Sequence, residues 1–178
     1  HVLHLVEDLG VPDHTRNDDH TSGSPYENFA EKFSLNSPDA SLSSQLSGKG
    51  PITLNNLDAY FNSLATYSNN NFYSKDTIGI QSGYNLPQPD YIQREGDYLY
   101  AFKSDSEYGD YKLFIKGKIG LLNTVVSDTS DIKLYLEKEG GDVVFNDYWN
   151  RLSPKAIQHG TGVVDLFFQE AEKAKNDP

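Results

Sequence analysis

A chain of 178 residues is long enough for one domain with a sizeable core. Its 26 acidic and 15 basic residues give a net charge of −11, which argues against strong nucleic-acid binding and against electrostatic attraction to anionic lipid. There is no cysteine, so disulfides and thiolate zinc sites are excluded, and no apolar run reaches the roughly 20 residues that a membrane span needs.

The opening stretch, HVLHLVEDLGVPDH, concentrates chemistry. At 100° per residue, His1, His4 and Asp8 fall within an arc of about 60° on a helix, beside a core arc of Val2, Leu5, Val6 and Leu9. Gly10 and Pro12 end that helix and deliver His14 from the loop just beyond it. Asn17, Asp18, Asp19 and His20 follow, then Glu27. Four of the five histidines therefore lie in the first twenty residues. Imidazole and carboxylate are the nitrogen and oxygen donors that zinc takes, and a divalent cation would offset the cost of desolvating them together.

Beyond this run, the sequence 25–33 (PYENFAEKF) predicts a short helix with Phe29, Ala30 and Phe33 on one side, and Pro25 suits its first turn. Residues 34–50 are rich in Ser, Gly and Pro without a period and predict a long exposed loop. Leu57, Tyr60, Phe61 and Leu64 give the spacing of an amphipathic helix that ends at Ser68–Asn71. Ser74, Lys75 and Asp76 suit a cap or turn. Residues 80–95 read as irregular. The segments 97–103 and 112–118 predict two strands joined by a turn at 104–111, with their aromatics packed onto the helices. Residues 119–126 fit strand or buried helix equally.

Residues 134–139 precede a break at Gly140–Gly141, and 142–152 predict a helix with Val144, Tyr148 and Trp149 facing inward. Ser153 and Pro154 supply the cap and first turn of a separate last helix, in which Gly160 and Gly162 allow close contact with a neighbour. His159 and Asp165 do not share a face of it. The chain thus reads as mainly α: a multi-helix bundle with an inserted β-hairpin, in one domain over 1–178.

The pattern His4-x-x-x-Asp8-x-x-x-Pro12-x-His14-x-x-Asn17, followed by Tyr26-Glu27, resembles the zinc-dependent phospholipase C and single-strand nuclease superfamily, in its bacterial phospholipase C branch. The resemblance implies that His4 binds one zinc, that Asp8 bridges two metals at the reacting centre, and that His14 and Glu27 share another ion. The family's remaining histidine falls at Gly23, and His20 is the substitute that a loop would bring to the metal. Two or three Zn2+ ions are implied, with further ligands from a segment preceding His1, so that the chain reads as the C-terminal part of a longer domain.

The implied activity is hydrolysis of a phosphodiester or phospholipid by metal-activated water. It implies a secreted or periplasmic protein able to touch a membrane peripherally. The alternative is a noncatalytic extracytoplasmic binding or envelope protein, keeping the helical scaffold with at most one structural zinc.

Overall fold

A computed structural model describes residues 1–19, 21, 23–33, 40–78, 86–119, 125–126 and 141–176. Its elements in chain order are α1 (Val2–Asp8), α2 (Pro12–Thr15), α3 (Pro25–Ala30), α4 (Ala40–Leu46), α5 (Leu57–Asn71), a 3-10 turn (Lys75–Thr77), β1 (Tyr91–Glu95), β2 (Tyr98–Lys103), β3 (Tyr111–Ile119), β4 (Val125–Val126) and α6 (Gly141–Asn176).

The mainly-α expectation is overturned: the fold is mixed. Its strands form a four-stranded antiparallel sheet in the order β1-β2-β3-β4. Nor is the predicted hairpin an insertion. Strand β3 alternates, and its inward residues Tyr111, Leu113 and Ile115 are at most 1% exposed, each burial contributing about 1.5–3 kcal/mol. They meet Tyr100 and Phe102 of β2, Phe72 after α5, and Val144, Tyr148 and Leu152 of α6 in the main core. Tyr148 fastens the layers together, donating from its hydroxyl to the Leu113 carbonyl at 2.6 Å and accepting from the Tyr73 amide at 3.2 Å. Sheet and helix supply one core jointly, which is why neither is an appendage.

Other boundaries move as well. Strand β1 occupies part of the stretch expected to be irregular and pairs with β2 from Tyr91↔Phe102 to Glu95↔Tyr98. Helix α4 forms within the expected loop, where Ser41 and Gln45 bond Asn150 of α6 at 3.2 Å each. Strand β3 runs on to Ile119, and Val125 and Val126 are strand. The expected break at Gly140–Gly141 fails at Gly141, which begins α6; Gly140 and the segment 134–139 lie outside the described residues.

Pro154 does not start a new helix but sits inside α6. A proline there removes one backbone donor and crowds the carbonyl four residues earlier. Ser153 adapts to this turn by donating its hydroxyl to the Trp149 carbonyl at 2.5 Å. Tyr148 and Leu152 before the proline, with His159 and Val163 after it, are all buried, so packing on both sides holds the helix continuous.

A second, smaller core lies where α1, α5 and α6 meet, built on Val6, Tyr60, Leu64 and Val163. The predicted core face of α1 is narrower than expected. Val6 is buried and Leu9 packs against it, while Val2 and Leu5 remain 45% and 52% exposed, because α1 touches its neighbours along one edge only.

His159 secures the α5–α6 seam beside that core. It is 2% exposed, its Nδ1 lies 2.7 Å from the Lys155 carbonyl, and its Nε2 lies 3.0 Å from the Ser63 hydroxyl. Nδ1–H therefore donates to the Lys155 carbonyl, while the Ser63 hydroxyl complements Nε2 whether it donates to the neutral ring or accepts from the charged one. Burial lowers the His159 pKa below its ordinary 6.5; the hydrogen bond to the Lys155 carbonyl raises it, and the Lys155 charge lowers it again. The sign follows: a depressed folded pKa gives stability that is complete above 6.5 and lost as pH falls towards the folded value. We expect the urea midpoint to fall between pH 7 and pH 5, and to fall less in His159→Gln. Equal pH slopes in the two proteins would refute this role.

Candidate metal centre

Among the described residues up to Ala30, three short helices form, α1, α2 and α3. Pro12 at the first position starts α2, so His14 sits on a helix rather than in the expected loop. Ser24 caps α3 by accepting from the Glu27 amide at 3.1 Å, with Pro25 at the first turn, and this fixes Glu27 at the α3 N-terminus.

These elements bring the expected ligands together as two pairs. His4 Nε2 stands 3.7 Å from Asp8 Oδ2 across one turn of α1, with the two side chains 77% and 30% exposed. His14 Nε2 stands 3.2 Å from Glu27 Oε1 across α2 and α3, with both side chains about one-third exposed. Two donors on one tetrahedral zinc, each about 2.05 Å from it, lie about 3.3 Å apart. The His14–Glu27 spacing fits that geometry; it is also an ordinary hydrogen-bond distance, and such a partly exposed pair alone adds only about 0–1 kcal/mol to stability. Among the described residues, no group of three or more His, Asp or Glu side chains comes together in a way that could hold an ion. His20 lies outside the described residues. Gly23, at the family's histidine position, has φ +99°, a backbone conformation that a histidine adopts only with strain.

Arg16, two residues after His14, is the organising residue that the sequence reading missed. It is fully buried. Its Nε donates to Thr77 Oγ1 at 2.6 Å, and its Nη1 reaches the Asn69 carbonyl at 2.8 Å, Asn69 Oδ1 at 3.0 Å and the Phe72 carbonyl at 3.3 Å. The guanidinium lies 5.2 Å from the centre of the Tyr73 ring. Around it, Thr15 Oγ1 meets Ser68 Oγ at 3.1 Å, and Asp18 Oδ2 accepts from the Asp76 amide at 2.9 Å. The segment carrying His14 is thereby tied to the end of α5 and to the 3-10 turn. One signal was available: Arg16 is the only lysine or arginine among the first 31 residues, set in a run of acids and histidines. Asp13, 2% exposed, was likewise not singled out.

An apolar pocket of about 210 Å³ opens between α1, α3, α4 and α6, lined by Gly10, Val11, Tyr26, Leu42, Trp149 and Ile157 among others. Among the described residues, no helix is long and apolar enough to cross a membrane.

No protein-family model matches the chain, and no curated protein or solved structure matches it either.

Proposed function

We propose that this chain carries zinc ligands of a phosphodiester hydrolase of the phospholipase C type. His4 and Asp8 would hold one ion, with Asp8 shared with a second. His14 and Glu27, joined by His20, would hold another. One observation carries the reading: His14 Nε2 and Glu27 Oε1, thirteen positions apart, stand 3.2 Å from each other, the spacing of two donors on one zinc. The His4–Asp8 pair supports it, since the sequence resemblance implies that each of these residues is a metal ligand. Zinc bound there would polarise a phosphoryl oxygen and supply an activated water near neutral pH. The chain's own part is to orient both imidazoles, through the α1 turn and through the capped start of α3. The proposed substrate is a phosphodiester such as a phospholipid, met outside the cytoplasm.

The test is zinc content after dialysis, together with turnover of p-nitrophenyl phosphocholine. The expected result is two or more zinc ions per chain, with His14→Ala losing one ion and lowering turnover at least about 100-fold. Unchanged zinc content in both His4→Ala and His14→Ala would defeat the proposal. The second reading, a noncatalytic envelope protein with one structural zinc at most, is favoured by the φ +99° backbone of Gly23, where the family has a ligand. One ion or none, with no turnover, would establish it instead.

A further inference from the structure

The apolar pocket between α1, α3, α4 and α6 has a polarity of its own. Its floor is buried: Tyr26 is 5% exposed, Leu152 1% and Ser153 8%. Its rim is open, with Glu7 exposed and Ile157 39% exposed. Glu7 is the one charged residue of the lining, and among the described residues no lysine, arginine or histidine accompanies it there. Ser153 adds no donor, because its hydroxyl proton already goes to the Trp149 carbonyl at 2.5 Å. The Glu7 carboxylate leans over α6: its Oε1 is 3.5 Å from the place that a Cβ on Gly160 would take, one turn beyond Ile157. Among the described residues no hydrogen bond or ion pair engages that carboxylate.

We propose that this pocket binds a small organic ammonium ion, its apolar body inserted between the helices and its cationic head beside Glu7. The volume of about 210 Å³ sets the size of the body. An apolar cavity of about 150 Å³ takes benzene, whereas drug-sized ligands need about 300–1,000 Å³. One aromatic ring on a two-carbon arm falls between those limits. The charge follows from the lining. An ammonium head gains a carboxylate that is otherwise unpaired, an anion meets only repulsion, and a neutral head gains no charge partner. This inference does not rest on the metal reading.

The test titrates phenethylamine, a cation at neutral pH, against the emission of Trp149. That residue is the chain's only tryptophan, it lines the pocket, and it stacks on Phe33 at 4.4 Å. 2-Phenylethanol and 3-phenylpropanoate carry the same ring and arm with no charge and with the opposite charge. The amine binds at least about threefold more tightly than the alcohol and at least about tenfold more tightly than the acid. Glu7→Gln, a change at an exposed position that keeps the fold, brings amine and alcohol within about twofold of each other. Ala30→Leu fills the pocket from α3 and weakens all three at least about tenfold, with circular dichroism checking its fold. Glu7→Gln decides the matter even where Ala30→Leu fails to fold. Equal affinities for the three probes, or tighter binding of the acid, would give the pocket to apolar or anionic bodies and overturn the proposal. So would a preference for the amine that survives Glu7→Gln, amine binding that survives in folded Ala30→Leu, or no saturable change with any probe up to about 10 mM.

Discussion

Arg16→Ala lowers stability by about 3 kcal/mol or more and loosens the segment that holds His14. The substitution removes a fully buried guanidinium and strands its acceptors: the Asn69 and Phe72 carbonyls, Asn69 Oδ1 and one partner of Thr77 Oγ1. Each buried acceptor left unpaired costs about 1–3 kcal/mol, and the vacated volume adds a cavity term. Arg16→Lys recovers little, because a single ammonium cannot serve Thr77 on one side and the α5 terminus on the other. Urea unfolding gives the stability. Zinc titration gives the second readout: if the proposed site exists, its affinity falls in Arg16→Ala although no ligand has changed. A midpoint shift worth less than about 1 kcal/mol would show that the segment is held by other contacts.

What the sequence disclosed was whatever periodicity or a strong local rule encodes. The apolar spacing of 57–64 is α5, the aromatic segments 97–103 and 112–118 are strands, and the opening His and Val positions form α1. What it concealed depended on partners. All five residues of β1 are exposed, so no alternation marks it, and pairing with β2 alone makes it a strand. Helix α4 buries no residue outright and is serine-rich; its bonds to Asn150 hold it in place. Pro154 obeys the first-turn preference locally and loses to packing on both sides of it. Treating the sheet as an insertion failed for a related reason: the burial of Tyr111, Leu113 and Ile115 is set by α6, which lies far along the chain.

The candidate site divides the same way. The nearness of His4 and Asp8 was visible in their helical spacing, that of His14 and Glu27 was implied only by the family resemblance, and the structure brings each pair together. Arg16 was not, because a guanidinium whose partners lie more than fifty residues away leaves no local pattern. Whatever geometry this region offers a metal is therefore set from α5 and the 3-10 turn as much as from its own residues.

The same reasoning separates two glycines that the sequence treated alike. Gly160 and Gly162 both lie within α6, where alanine would gain up to about 1 kcal/mol of helix propensity. At Gly160 an added Cβ meets the Leu3 Cδ1 methyl at 2.9 Å, the end of a side chain that is 38% exposed and free to turn away. At Gly162 it comes 2.0 Å from the Ile52 carbonyl oxygen and 2.7 Å from both the Tyr60 hydroxyl and Cε1. Those atoms cannot yield independently. Tyr60 donates to the Ile52 carbonyl at 2.9 Å and accepts from the Leu54 amide at 3.0 Å, while the Ile52 amide donates to the Gln158 carbonyl at 3.1 Å. Moving the 52–54 segment breaks that network and opens the core of Val6, Tyr60, Leu64 and Val163. Gly160→Ala should therefore stay within about 1 kcal/mol of wild type in urea unfolding, whereas Gly162→Ala should lose about 3 kcal/mol or more. Matching losses at the two sites would mean that the backbone of 52–54 does not press on α6 as described.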